Sequence, residues 1–179
     1  MAAILEGAAQ ILEGGGLAAF TTNAVAERAG VSIGTLYQYF ADKQAILRAI
    51  AERELKATLA KVAVAMSRGG AVSPEERVRA IVRAMIGAFR GRQRARKAVV
   101  QAVFSEGGGA ALQPPIAAFI AAHALASLTE QQTFVLSRAL LGAIRAAVLE
   151  EKPFLRGPAF EDELVRLVTS YLRALLPAA

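Results

Sequence analysis

The sequence contains no cysteine and one histidine, His123. Disulfides, thiolate metal sites and cysteine nucleophiles are thereby excluded. A cluster of histidine ligands cannot form, and a serine–histidine arrangement would rest on a single residue. β-Branched runs with two-residue alternation are nearly absent, so a sheet has no pattern to grow from. No paired-carboxylate motif, no glycine-rich phosphate loop behind a strand and no metal-ligand spacing occurs. Glu150-Glu151 and Glu161-Asp162-Glu163 read as charges at helix ends. Enzymatic activity and a cofactor are therefore not expected. The opening Met1-Ala2-Ala3-Ile4-Leu5-Glu6 lacks the basic stretch of a secretory leader. The longest segment free of Asp, Glu, Lys and Arg runs from Gly107 to Thr129. Its length suits a membrane span, but its three glycines, Pro114-Pro115, Gln113, His123 and Ser127 argue for a buried helix of a soluble, cytoplasmic protein with no membrane partner.

What is abundant is helix-forming apolar residue. Hydrophobic residues make up 55% of the 179 positions, mean hydropathy is +0.40, and much of this is alanine and leucine, both strong helix formers. The fold class expected is all-α. The net charge of +6 permits an acidic partner such as DNA, but it is unevenly spread. Residues 1–50 hold three basic and four acidic groups, residues 51–100 twelve and four, and residues 101–179 six and seven.

Periodicity and punctuation predict about nine helices. The first spans about Ala2 to Glu13 on the apolar face of Ile4, Leu5, Ala8, Ile11 and Leu12, and Gly14-Gly15-Gly16 is expected to stop it. Thr21 and Thr22 offer caps for a second helix near Asn23 to Ala29, Ser32 for a third near Ile33 to Tyr39, and Asp42 for a fourth from Lys43 to about Ser67. Ser73-Pro74-Glu75-Glu76 is a capping-box start for a fifth helix reaching about Phe89 to Gly91. A sixth covers about Gln93 to Ser105, and a seventh runs from Pro114 to near Leu128. Thr129-Glu130-Gln131-Gln132 is a second capping box, opening an eighth helix to about Glu151, and a ninth runs from about Ala159 to Leu176. Residues 1–48 form the expected head and residues 49–179 the expected body.

The segment from Thr22 to Ile50 has the build of a DNA-reading helix-turn-helix, two short helices set at an angle by a turn. Val25, Ala26 and Ala29 face inward, Gly30 makes the turn, and Val31 fills the angle. On the third helix Leu36 and Phe40, four apart, share the inner face. Gly34 and Gln38 then point outward, flanked by Thr35 and Tyr37, with Ile33 between the faces. Gly34 permits close approach of backbone to a groove, the hydroxyls suit phosphate or base contacts, and Gln38 can pair with adenine. Lys43, in the first turn of the fourth helix, suits a phosphate oxygen.

The stretch from Phe20 to Phe40, with its paired threonines, Ala29-Gly30-Val31-Ser32 and Gly34-Thr35-Leu36-Tyr37, resembles the TetR family of transcriptional regulators. So does the continuation Asp42-Lys43 before Ile46-Leu47. The resemblance covers about the first fifty residues. It implies that Thr22 and Asn23 touch the DNA backbone, that Ile33, Gly34, Tyr37 and Gln38 face bases, and that Thr35, Tyr39 and Lys43 clamp phosphates. It also implies a basic extension ahead of the first helix. This chain opens almost inside that helix, and with a head of net negative charge a modest salt dependence of DNA binding is expected.

In the body, Phe160, Leu164, Leu167, Val168, Tyr171, Leu172, Leu175 and Leu176 form a continuous stripe on the ninth helix, and the eighth is apolar almost all round. Such helices need cover on more than one side, which a symmetric partner supplies. The interface expected is Leu140, Leu141, Ile144, Val148, Leu164, Leu167, Val168, Tyr171, Leu172 and Leu175, and the resemblance implies the same four-helix homodimer. Two heads on a two-fold axis would read a palindromic operator. The resemblance further implies an effector cavity. Its candidate lining is Met66, Met85, Phe89, Phe104, Phe119, His123 and Phe134, suited to a small hydrophobic or aromatic molecule. The function read from the sequence is a repressor released from DNA by such a ligand. The competing reading is a helical small-molecule or lipid-binding protein without DNA. The basic run Arg90-Gly91-Arg92-Gln93-Arg94-Ala95-Arg96-Lys97 is expected to be a solvated corner between helices.

Overall fold

The computed structural model describes residues 1–67, 73–89, 91–105 and 128–175. Among them are eight α-helices and no strand: α1 (Ala2–Ala19), α2 (Thr22–Ala29), α3 (Ile33–Tyr39), α4 (Lys43–Ser67), α5 (Pro74–Gly87), α6 (Gln93–Ser105), α7 (Glu130–Leu149) and α8 (Pro158–Leu175). A 3-10 turn, Pro153–Arg156, precedes α8. The all-α class is as expected from composition. Residues 114–127 of the helix expected from Pro114 to near Leu128 lie outside the described residues.

The starts of these helices follow their caps. The Thr21 hydroxyl accepts the Ala24 N–H at 3.1 Å, Ser32 that of Thr35 at 3.0 Å, and Asp42 that of Ala45 at 2.7 Å. Both capping boxes close. Ser73 and Glu76 exchange bonds of 3.2 and 2.8 Å at α5, and Thr129 and Gln132 bonds of 3.3 and 2.8 Å at α7. Each satisfies two backbone N–H groups that a helix start would otherwise leave bare.

The end of α1 differs from expectation. The helix does not stop at Gly14 but runs on to Ala19, with its irregularity at Gly16 (φ 63, ψ −159). Glycine in a helix costs only about 1 kcal/mol against alanine, and packing of α1 on α2 and α6 outweighs it at Gly14 and Gly15. Gly16 adopts a backbone region essentially closed to other residues. The chain thereby turns to bury Phe20.

The chain forms two compact units. One gathers Met1–Lys56 and α6. Its core joins Leu12 of α1, Val25 of α2, Leu36 of α3 and Ile46 of α4, all at most 1% exposed, to Ala95, Ala98 and Val99 of α6. The other gathers the rest of α4 with α5, α7 and α8, packed around Val82, Ile86, Ile144 and Leu164. In it the buried Glu161 carboxylate takes a bidentate bond from Arg83 at 2.7 and 3.1 Å, and Arg79 lies 3.5 Å away. Arg79 also bonds Asp162. These pairs tie α5 to the first turn of α8. Arg83, then desolvation working against it, then Arg79 leave the Glu161 carboxyl below its usual range.

Five of the ten residues expected at a dimer interface lie in this second core: Leu140, Ile144, Val148, Leu164 and Val168. They are buried within the subunit. Leu167 is exposed, and Leu141, Tyr171, Leu172 and Leu175 are half-buried, Leu172 against the same core. Among the described helices, α7 is long and apolar enough to cross a membrane by length and composition. It nevertheless carries Arg138 and Arg145, and its Leu140–Ile144–Val148 stripe faces the core.

Candidate nucleic-acid interface

The helix pair α2–α3 is shaped by its turn. Gly30 sits in the left-handed region (φ 67), its N–H reaches the Glu27 carbonyl at 3.1 Å, and the Val31 N–H reaches that of Ala26 at 3.0 Å. This pair of bonds is a Schellman motif, and it places the half-buried Val31 against the core. Leu36 (0% exposed) and Phe40 anchor α3 from below.

The opposite side of α3 is open. Gly34 and Gln38 are exposed, as are Ile33, Tyr37 (52%) and Tyr39 (54%). A Cβ at Gly34 would meet only the Ser32 hydroxyl, at 3.8 Å, so the bare backbone there faces space. Thr22, half-buried at the start of α2, lies 3.3 Å from the Tyr37 hydroxyl, hydroxyl to hydroxyl. Asn23 beside it is exposed. Thr35 is half-buried with its hydroxyl 2.9 Å from that of Ser32, and Lys43 is exposed at the first residue of α4. All nine residues proposed from the sequence for DNA contact therefore belong to one unit, and seven of them are exposed. Two exposed tyrosines and a bare glycine backbone stand here beside surface hydroxyls that pair with one another. They suit a grooved polyanion.

The effector candidates are scattered. Met85 and Phe89 are half-buried against the second core, and Met66 is half-buried near the end of α4. Phe134 does not line an interior: it is 59% exposed, with the Arg138 guanidinium 5.2 Å from its ring centre. The Phe104 side chain, Phe119 and His123 lie outside the described residues. Among those described, no group of His, Cys, Asp and Glu could hold a metal ion.

One set of interactions escaped sequence reasoning. The start of α6 is held from outside its own sequence neighbourhood. The Glu13 carboxylate of α1 accepts the Ala95 N–H at 3.0 Å. Arg92 donates to Glu6 of α1 at 2.6 Å, and Arg96 reaches Glu54 of α4 at 3.4 Å. Arg92 and Arg96 are thus not in a merely solvated corner. They hold α6 to the head. Glu6, Gln10 and Glu13 share one face of α1 by spacing, which is the only local hint, since the partners of Glu6 and Glu13 on α6 lie some eighty residues away.

Residues 4–50 match the family described as bacterial regulatory proteins, tetR family. No curated protein matches the sequence significantly. Among solved structures, a TetR-like transcriptional regulator from Rhodococcus sp. RHA1 is 25% identical with a TM-score of 0.65, the alignment covering 99% of this chain and 96% of that one. The multidrug binding protein EbrR, solved with ethidium, is 19% identical with a TM-score of 0.70 over 95% and 96%. A TetR-family regulator from Streptomyces coelicolor is 19% identical with a TM-score of 0.66 over 98% of each chain. The head, over residues 4–50, thus matches the DNA-binding segment of the TetR family, and along nearly its whole length the chain shares its fold with a solved TetR-like transcriptional regulator.

Proposed function

We propose that the protein is a transcriptional repressor that binds a palindromic operator as a homodimer and leaves it when a small, mostly hydrophobic or aromatic molecule binds the body. The observation that carries the DNA-binding part is the outward side of α3. Gly34, Tyr37, Gln38 and Tyr39 are presented to solvent while Leu36 and Phe40 lock the helix from behind. In this reading Ile33, Gly34, Tyr37 and Gln38 face base edges. Thr22, Asn23, Thr35, Tyr39 and Lys43 hold phosphates and set the register.

The homodimer is supported by what α7 and α8 leave uncovered. Phe134 (59%), Val135 (50%) and Leu167 (42%) are exposed, with the small Ala139, Gly142 and Ala146 on the outer side of α7. With the inner stripe already used, a second copy would rest on this outer side together with Leu141, Tyr171 and Leu175. The effector class is supported by the apolar body and by EbrR, a protein of this fold solved with ethidium. In this reading Met66, Met85 and Phe89, all half-buried, would be among the residues that meet the effector. The protein would work in the cytoplasm, without a membrane or a cofactor.

Selection of bound sequences from random duplexes tests the reading. A two-fold symmetric consensus whose affinity falls with salt is expected. Sedimentation should give twice the chain mass. Loss of duplex binding on titrating an aromatic cation would identify the effector class. Absence of any sequence preference would defeat the DNA-reading assignment, and a monomer at micromolar concentration would defeat the dimer.

A further inference from the structure

A chain of side-chain hydrogen bonds runs over the surface of the head unit, from the start of α6 through α1 to α2. Arg92 Nη2 donates to Glu6 Oε1 at 2.6 Å. Gln10 Nε2 donates to the same oxygen at 3.0 Å, and Arg28 Nε donates to Gln10 Oε1 at 2.9 Å. The order is dictated by chemistry. A carboxylate only accepts and a guanidinium only donates, so a residue with both a donor and an acceptor must stand between the acid and the second arginine. Gln10, one turn after Glu6, does so with its amide in the one orientation that makes both bonds.

The chain lies along a seam where two backbones touch. A Cβ at Gly7 would sit 3.1 Å from the Ala29 nitrogen and 3.3 Å from the Arg28 carbonyl carbon. Helices α1 and α2 therefore meet at the last turn of α2. The apolar attraction across this seam is itself non-directional. Hydrogen bonds across it are directional and fix the register. The helix held in register is the one whose first residue, Thr22, meets the Tyr37 hydroxyl of α3 at 3.3 Å. The same bonds turn two of the four acidic residues of positions 1–50, Glu6 and Glu13, onto α6. That accounts for a DNA-reading head of net negative charge: half of its acid is engaged by α6.

We propose that Arg92, Glu6 and Gln10 are positioning residues for DNA binding, setting the pose of α2 and hence of the α2–α3 pair, and that α6 is an integral part of the DNA-reading unit. The proposal rests on the DNA-binding reading given above. A misposed pair loses contacts in each head, so a loss of roughly three- to fourfold per head compounds to about tenfold in a two-headed complex.

The test uses the full chain and, as probe, a duplex that the unsubstituted protein selects from a random pool. Arg92→Ala and Gln10→Met are each expected to weaken binding about tenfold, Arg92→Lys to stay within about twofold because the charge is kept. Arg77→Ala, an exposed arginine on α5, should bind unchanged. In the protein without DNA, amide exchange of α2 should quicken in Arg92→Ala and Gln10→Met while that of α8 does not. Unaltered exchange in α2, affinity within twofold in both variants, or an equal loss in Arg92→Lys overturns the proposal. So does faster exchange throughout, which would mean that the variants simply melt. An unsubstituted protein that binds no duplex sinks the DNA-binding reading instead, and the exchange measurement still decides whether the seam positions α2.

Discussion

Replacing Tyr37 by alanine separates the two faces of α3, because its neighbour Leu36 sits on the other one. An aromatic side chain buries roughly 150–250 Å² when fully enclosed. Tyr37 is 52% exposed, which leaves about 100 Å² covered, and at ~25 cal/mol per Å² its removal costs at most about 2.5 kcal/mol. The better helix propensity of alanine offsets about 0.5 kcal/mol of this. Tyr37→Ala is thus expected to cost about 1–2 kcal/mol of stability. Leu36, 0% exposed, should cost about 2–5 kcal/mol when cut to alanine. For DNA the order inverts. Losing one hydroxyl contact in each of two heads, at roughly 1 kcal/mol apiece, weakens operator binding about 25-fold or more. Denaturant unfolding measured alongside fluorescence anisotropy with a selected duplex reads both quantities on one preparation. The reasoning fails if Tyr37→Ala unfolds as readily as Leu36→Ala, or if it binds the duplex undiminished.

Two further perturbations test the fold. Gly14→Ala should stabilise by about 0.5–1 kcal/mol, since the position is helical with nothing within 4 Å of an added Cβ. Gly16→Ala should destabilise by about 1–3 kcal/mol, because φ 63 with ψ −159 excludes a side chain; equal effects at the two sites would refute the account of the helix break. Glu161→Gln should lower stability at neutral pH by about 1–3 kcal/mol through its charged bonds to Arg83 and Arg79. Its folded pKa lies below the ordinary 4.5, so the contribution is present above about pH 4.5 and fades as acid protonates the folded carboxyl. Unfolding curves of the two proteins should therefore converge in acid, and a gap that does not change with pH would show that the carboxylate charge is irrelevant.

Local rules located most helix starts here, because a cap is a bond between residues three apart. Ser73 with Glu76, Thr129 with Gln132, and Asp42 with the Ala45 N–H all close within one turn. The faces of α3 were equally legible from Leu36 and Phe40 four apart. The run from Arg92 to Lys97 was not. Its spacing matches a solvated corner, and nothing adjacent in the chain announces that Glu6, Glu13 and Glu54 wait for it. The split of Leu140, Ile144 and Val148 from Phe134 and Val135 was also hidden, since a helix apolar all round has no sequence mark for which side its own subunit covers.

By itself the amino-acid order determined the helical class, most of the caps and the outward side of the reading helix, because each depends on neighbours within a turn or two. Only the tertiary structure decided that α6 joins the head, that α1 runs on past Gly14, and which stripe of α7 is spent inside the subunit. Those outcomes depend on contacts between residues far apart in the chain, where loop closure and packing, rather than spacing, choose the partner.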